Sequence, residues 1–475
     1  MAAPKGHGSD SVIRATAGKI ERIVAKVLKD VKPTENEIAE TTAYSNDIMG
    51  RLARAAPKSI EIISAGSVAR GTQVRGTSDI DIFLLFPKGT DRERMEKDGI
   101  AIGKKIVSRA RNESYVIKYA EHPYVRLILG DSGTKADIVP AFKIKHHSER
   151  VTAVDRTQLH NVFVNSRLDL KQKDDVRVLK AFLRAHGIYG AEARTEGFSG
   201  YLCELLVAHY GSFVSVLKGA TGMRLPFVVD VLGGAEHHGT SDAATAAVRK
   251  FDKDFIVIDP TDPNRNVAAV VSDESLARFV TVSKMFLKAP TASFFYGARY
   301  STAYSERKVA KLRSALGLDI YVLQFKMPDI AEDILWQQIS RLSVTLEDAL
   351  RKNGFNSVVS LRNVSHGSAI ISFFLSSSHV KYSIARGPSA FMGDSIEKFL
   401  SNHRRSLGTM FDGDRVLSLE QAAYETPVAL LKHMMKRREI FPSYIDTRSS
   451  RLYVNSFPED TAKMLYSAFV RKTTI

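Results

Sequence analysis

"AGSVARGTQVRGTSDIDIFLLF", residues 65–86, sets two aspartates one residue apart at the head of a hydrophobic run. In an extended strand residues i and i+2 share a face, so Asp79 and Asp81 project together while Ile80 and Ile82 point the other way. Two carboxylates a few ångströms apart repel, and burying them unpaired costs several kcal/mol. Something positive has to sit between them. A hard divalent cation answers that need, because magnesium takes oxygen ligands from one or two carboxylates together with substrate phosphates. Taken alone, the same residues also fit a turn at Ser78-Asp79 followed by an exposed Asp81, so the surroundings have to choose.

Upstream, Gly66-Ser67 lies between the strand-like "SIEIISAG" and a short helix. Glycine lets a phosphate approach the backbone, Ser67 offers a hydroxyl, and free N–H groups at a helix start attract anions. Arg70, three residues on, is spaced to contact the same phosphates. Singly, Ser67 fits a plain helix cap and Arg70 a solvated charge. Downstream, "YVRLILGDSGTKADIVPAF" (residues 124–142) has two β-rich runs around Gly130-Asp131-Ser132-Gly133 and predicts a hairpin. Its second strand carries Asp137, and Pro140, which cannot donate to a ladder, predicts that the strand frays or reaches an edge there. Three acids complete a two-metal site, where one ion activates an attacking hydroxyl and the other holds a triphosphate and its leaving group.

The chain has 475 residues, 44% apolar and 25% charged, which is enough for two to four domains of ordinary globular composition. It has no run of eighteen apolar residues, so no membrane helix is expected, and "MAAPKGHGSD" reads as a loose tail. One cysteine, Cys203, rules out an internal disulfide framework, looks like a small apolar helix residue and suits a reducing cytoplasm. The formal charge of +16 suits a polyanionic partner, although many basic proteins bind none.

Periodicity fills in the organisation. Ile20, Ile23, Val24, Val27 and Leu28 predict an amphipathic helix ended by Pro33, and Thr34 with Glu37 predicts a capping box for the next, which carries Ile38 and Ile48. After about residue 150 the pattern turns helical: Val176, Leu179, Phe182 and Leu183 share one face, with Gly187 as the stop, and a later helix is stopped by Pro290. Arg177 and Lys180 fall on the side of that helix from which they could reach a phosphate outside the core. From "LDIYVLQFK" onward strands and helices alternate. The expected fold class is therefore α+β, then mostly helical, then α+β again.

At this point the chain resembles the archaeal-type (class I) CCA-adding enzymes, tRNA nucleotidyltransferases of the polymerase-β-like superfamily. The resemblance rests on "GSVARGT", "SDIDIFLLFP", "YAEHPYVRL", "ADIVPAF", "TAVDRTQLH", "VLKAFLRAHGIYGAE", "GFSGYLCELLVAHYGSF" and "DPTDPNRNVAA", in family order, and more loosely on "FKMPDIAEDILWQQ" and "RGPSAF". It implies a catalytic nucleotidyltransferase domain at 1–150, a helical nucleotide-binding domain at 151–290 and an α+β tRNA-binding region at 291–475. It implies that Asp79, Asp81 and Asp137 hold two Mg²⁺ ions and that Gly66, Ser67 and Arg70 hold the triphosphate. His122, Thr157, His160, Lys180 and Tyr189 would contact the phosphates and sugar of CTP or ATP, and Arg265 would read the base. The tRNA would be met at its acceptor stem, elbow and 3′ end, in the cytoplasm, by an enzyme that in this family is often a homodimer. Without the resemblance, Lys180 fits a solvated face, Tyr189 a core-edge ring, and His122 and His160 structural histidines.

The pairs His146-His147 and His237-His238 do not converge on one face, and with no Cys-x-x-Cys a zinc site is not expected. The basic runs His403–Arg405 and Lys432–Glu439 fit solvated helix faces and RNA-backbone contacts equally well. Two rivals remain at this stage: a poly(A) polymerase, which would share Gly66-Ser67 and the three acids but not "AVDRT" or "DPTDPNRNVAA", and a catalytically idle RNA-binding adaptor.

Overall fold

A computed structural model describes residues 7–77, 79–119, 121–130, 134–296, 314–315, 317–330, 332–365, 367–404, 406–445 and 447–473. Asp131, Ser132 and Gly133 of the expected hairpin turn, together with Ser78 and Arg405, lie outside the described residues. Contacts divide the chain into two units, Met1–Ala298 and Arg299–Thr474.

In the first unit, helix α1 (His7–Val31) begins within the stretch expected to be a loose tail. Extending a helix by a turn costs far less than nucleating one, and the buried Ile20 and Val27 anchor the rest of it. Helix α2 (Glu35–Ala55) starts at the expected capping box, with Thr34 and Glu37 each accepting from the other's backbone N–H. Such a cap is worth about 1 kcal/mol.

A five-stranded sheet and its helices follow: β1 (Glu61–Ala65), short helix α3 (Gly66–Arg70), β2 (Ile80–Phe86), α4 (Arg92–Lys105), β3 (Ser114–Tyr119), β4 (Pro123–Leu129) and β5 (Thr134–Phe142). Strand order is β1-β2-β5-β4-β3, with β2 and β5 parallel and the other pairs antiparallel. Ile80, Ile82, Leu84 and Phe86 fall on one face and are buried with Ile48, Met95, Ile102 and Ile138 from α2, α4 and β5. Each fully buried Ile or Leu contributes about 2 kcal/mol, and together they fix the opposite face for Asp79 and Asp81.

Pro140 departs from expectation. It lies in an interior strand, opposite Leu84 on β2, but the ladder with β4 has already ended at Ile138, so no N–H is missed on that side. Helix α4 crosses over the ring at Gly99, where a Cβ would stand 2.6 Å from Pro140 Cβ.

Four helices form the adjoining layer: α5 (Thr157–Arg167), α6 (Leu170–Ala185), α7 (Gly200–Tyr210) and α8 (Phe213–Gly222). The expected face of α6, Val176, Leu179, Phe182 and Leu183, is wholly buried, and Gly187 follows the helix at φ +68°. Cys203 is buried in α7, where burial pushes its thiol up to about 12. A small sheet that the sequence pattern did not reveal comes next, from β6 (Phe227–Asp230), β7 (Ala235–His238), β8 (Phe255–Asp259) and β9 (Asp262–Asn266), in the order β7-β6-β8-β9, with α9 (Asp242–Phe251) between β7 and β8. The polar strands "AEHH" and "DPNRN" carry no alternation to detect. Helix α10 (Asp273–Lys288) ends just before Pro290, as expected. Among the described residues no single helix is long and apolar enough to cross a bilayer.

His186, at the end of α6, is 6% exposed and packed against Phe182 and Phe294, with burial and then Arg278 lowering its pKa to about 4. The folded pKa lies below the unfolded value, so the neutral ring's contribution is complete above about pH 6.5 and fades as pH falls toward 4. His186→Phe should remove about 3 kcal/mol of acid destabilisation over that window, read by urea unfolding at pH 4.5 and 7.

The second unit is α+β. Strands Ser357–Ser365, Ser368–Leu375, Asp319–Lys326 and Arg451–Val454 form one antiparallel sheet in that order, and Ile320, Val322, Ile370 and Phe374 bury against Leu465 and Ala468 of helix Glu459–Thr473. A three-stranded sheet contains Tyr382–Ser389, Arg415–Gln421 and Gly408–Asp412. Helix Pro427–Lys436 buries Leu430, Leu431 and Met434 and leaves Lys432, His433 and Lys436 exposed.

Candidate active site

Strand register brings the three acids together. Asp81 on β2 stands opposite Asp137 on the parallel β5, and Asp137 stands opposite Arg126 on β4. Asp79 lies two residues before Asp81, so it shares that face. Arg126 grips both oxygens of Asp137 at 2.6 Å and reaches Asp79 at 3.5 Å. No sequence pattern pointed to this arginine, because only the pairing of β4 with β5 reveals it.

Burial, and then the charge of Asp137, pushes the Asp81 carboxyl up to about 7; Asp79 adds to the rise, while Arg70 and Arg126 oppose it. Gly66 touches the same carboxylate: it sits at φ +70°, and a Cβ there would stand 1.7 Å from Asp81 Oδ2. The strand–glycine–helix corner therefore packs backbone directly onto the acid. Ser67, beside it in α3, is half-buried.

These oxygens suit a hard divalent cation. The donors are all carboxylates, Asp81 resists ionising next to its neighbours, and a cationic side chain already lies against two of the three acids. Among the described residues no three His, Cys, Asp or Glu side chains stand in closed metal-ligand geometry. Asp137 is held instead in the fork of Arg126.

Arg70 lies near Asp81 and Lys180 joins it around Glu204, but neither is a surface charge. Arg70 is 8% exposed, with Nε donating to both oxygens of Glu204 at 2.9 and 3.1 Å and Nη1 donating to Asn161 Oδ1 at 2.9 Å. Lys180 does not snorkel from its helix: it is 1% exposed and donates to Thr72 O at 2.9 Å and Thr72 Oγ1 at 3.2 Å, with Glu204 at 3.9 Å. Arg177 is likewise inside, fastening the loop after α3 through Gln73 O at 2.9 Å and Gly71 O at 2.5 Å. A buried cation needs partners, and apart from Asp174 beside Arg177 they lie on α5, on α7 and on residues 71–73, remote in sequence from the cation each one meets. Tyr189 joins this group, since its hydroxyl and the Lys180 ammonium both border Gly200 at the start of α7.

The third group centres on Asp259 at the end of β8. Its carboxylate accepts from His160 Nε2 at 3.1 Å, Tyr201 OH at 3.1 Å, Thr261 Oγ1 at 2.8 Å and Arg265 Nη1 at 2.8 Å. Burial alone would raise its pKa, but the bonds from His160, Arg265 and Thr261 outweigh that and hold it well below the usual carboxylate range. Burial lowers the His160 pKa, with Arg265 and Arg70 adding to the fall and Asp259 opposing it. The His160 ring stacks on Tyr201 with centroids 3.9 Å apart. Arg265 is thus aimed by an anion that sequence reasoning did not single out.

Two expected residues stand apart. His122 lies just before β4, four residues ahead of the Arg126 that pairs with Asp137; it is 4% exposed, and its Nε2 has no partner among the described residues. Thr157 opens α5 and is half-buried. Among the described residues no hydrogen bond ties either one to the three acids.

Comparison with known proteins adds a separate line. A nucleotidyltransferase domain model matches residues 46–160, a model of the second domain of tRNA nucleotidyltransferase matches 174–296, and a model of the C-terminal domain of CCA-adding enzyme matches 316–441. The CCA-adding enzyme of Methanocaldococcus jannaschii is 33% identical over 447 residues, covering 91% of this chain and 95% of that protein. That of Archaeoglobus fulgidus is 34% identical over 414 residues, covering 86% and 88%. A solved cytoplasmic RNA terminal U-transferase aligns with 59% of this chain and 99% of its own at 15% identity and a TM-score of 0.46.

Proposed function

The chain belongs to the archaeal-type CCA-adding enzymes, tRNA nucleotidyltransferases that complete the 3′ CCA end from CTP and ATP, and from that premise we propose how its own residues divide the work. Asp79, Asp81 and Asp137 are the residues that would hold the divalent metal, which we take to be Mg²⁺. When bound, such ions supply Lewis-acid charge to the attacking tRNA hydroxyl and to the departing pyrophosphate. A cation held there would favour the ionised form of Asp81, which burial and Asp137 otherwise disfavour. Ser67, Arg70 and Lys180 bind the triphosphate and offset negative charge on the leaving group, and Tyr189 joins the contacts to phosphates and sugar. His122, Thr157 and His160 contact phosphates and sugar, and Gly66 keeps the backbone close enough for that contact. The 3′-hydroxyl then attacks the α-phosphate in line, the geometry being set by these contacts.

Base choice falls to Arg265, held by Asp259. A fixed guanidinium that pairs with one base edge rejects another by leaving buried donors unmatched. The tRNA is read by shape and backbone at its acceptor stem and elbow, and the exposed Lys432, His433 and Lys436 are suited to phosphate contact. We assign catalysis to 1–150, nucleotide binding to 151–290 and tRNA binding to 291–475, in a chain working as a homodimer.

The observation that carries the site assignment is the pairing of Asp81 with Asp137, in which a carboxyl raised to about 7 faces a second acid across parallel strands. The test is incubation with tRNA lacking its CCA, CTP, ATP and Mg²⁺. Two C and one A should be added and then synthesis should stop, and chelation should end it reversibly. Long A-tracts without C would mark a poly(A) polymerase. Retained tRNA binding without any transfer would mark an adaptor.

A further inference from the structure

Glu204 is wholly buried in α7, in a run where Tyr201, Leu202, Cys203, Leu205, Leu206 and Val207 are also buried. A leucine would serve helix packing there, and a lone carboxylate in such a place costs several kcal/mol. It is far from lone. Both oxygens take the Arg70 Nε–H, Oε1 also accepts from Thr72 Oγ1, and the Lys180 ammonium stands 3.9 Å away. Thr72 in turn accepts from Lys180, so one carboxylate fixes two cations, the first directly and the second through a hydroxyl. With Asn161 taking Nη1, Glu204 pins the plane of the Arg70 guanidinium. Arg70 also acts on the Asp81 carboxyl, opposing its rise, so the guanidinium that Glu204 holds lies close to the acids.

We propose that Glu204 is the positioning residue of the triphosphate site, holding Arg70 and, through Thr72, Lys180 in the orientation that meets the β- and γ-phosphates. This rests on the reading of Arg70 and Lys180 as phosphate ligands. Although burial works against ionisation, the two cations keep the Glu204 carboxyl below its ordinary range, so it stays charged at working pH.

The test is a double-mutant cycle on the full chain, measuring KM for CTP and ATP, kcat, tRNA affinity and pyrophosphate affinity. Glu204→Gln keeps the side-chain volume and should raise both nucleotide KM values about tenfold and weaken pyrophosphate equally, with tRNA affinity unchanged. Arg70→Ala should do the same, and the double variant should lose less than the sum of the two single losses, because part of the effect of the glutamate runs through the arginine. Lower thermal stability with unchanged KM, or losses that add fully, would overturn the positioning role. An unchanged KM in Arg70→Ala would instead remove the phosphate reading beneath it. If Glu204→Gln does not fold, Glu204→Asp keeps the charge but withdraws it by one methylene, and it should raise KM severalfold; an unaltered KM there overturns the proposal too.

Discussion

Asp81→Asn should lower CCA addition by about 10³-fold or more while tRNA affinity stays near that of the parent. The amide keeps the shape and hydrogen-bonding capacity of the acid but cannot supply the charge a divalent cation needs. The same substitution should make the metal-free protein more stable at alkaline pH. Folding raises the Asp81 pKa from 3.8 to about 7, so above pH 7 the folded chain carries an ionised group that burial and Asp137 disfavour. The resulting strain, on the order of 4 kcal/mol, is full above about pH 7 and fades as pH falls toward 3.8. Chelator-treated Asp81→Asn should therefore melt above the parent at pH 8 and beside it near pH 4. A variant that loses activity without this gain would show that Asp81 is not the strained member of the trio. Unchanged turnover would remove it from the site.

Gly66→Ala is the second severe case, and a single methyl group is responsible. A Cβ would fall 1.7 Å from Asp81 Oδ2 and 2.7 Å from its carboxyl carbon, so the acid or the corner has to move. Displacing a reacting group by about 1 Å costs on the order of 100-fold in rate. Gly76 provides the control. It has a similar φ of +73°, but a Cβ there meets nothing within 4 Å, so Gly76→Ala should cost about 1 kcal/mol of stability and little activity. The pair separates backbone strain from collision with the acid. Equal activity losses in the two variants would mean that strain alone is at work.

The acids were legible from sequence because strand alternation is a local rule: Asp79 and Asp81 share a face whatever lies around them, and Asp137 sits in a run that reads as a strand. The glycine–serine corner was legible for the same reason. What escaped depends on partners distant in the chain. Arg126 looks like any strand residue until β4 is set against β5, and Glu204 is one charge in an apolar helix until Arg70 arrives 134 residues away. Lys180 and Arg177 read as outward-facing because helical periodicity says which side a residue occupies but not what covers that side. Asp259 opens the run "DPTDPNRNVAA", yet its role as the anchor of His160, Tyr201 and Arg265 follows only from three segments meeting. The small sheet was missed since two of its strands are short and polar.

The parallel pairing of Asp81 with Asp137 also bears on how this enzyme comes into being during translation. Parallel neighbours need a long crossover, so the acids cannot meet until β5 has left the ribosome, and Arg70 lacks its carboxylate partner until α7 has followed. Nearly half the polypeptide must be made before the first competent centre exists. A nascent chain surrounded by the very RNAs it will later modify is thus silent by construction, and a product truncated before residue 204 would be inert rather than unregulated.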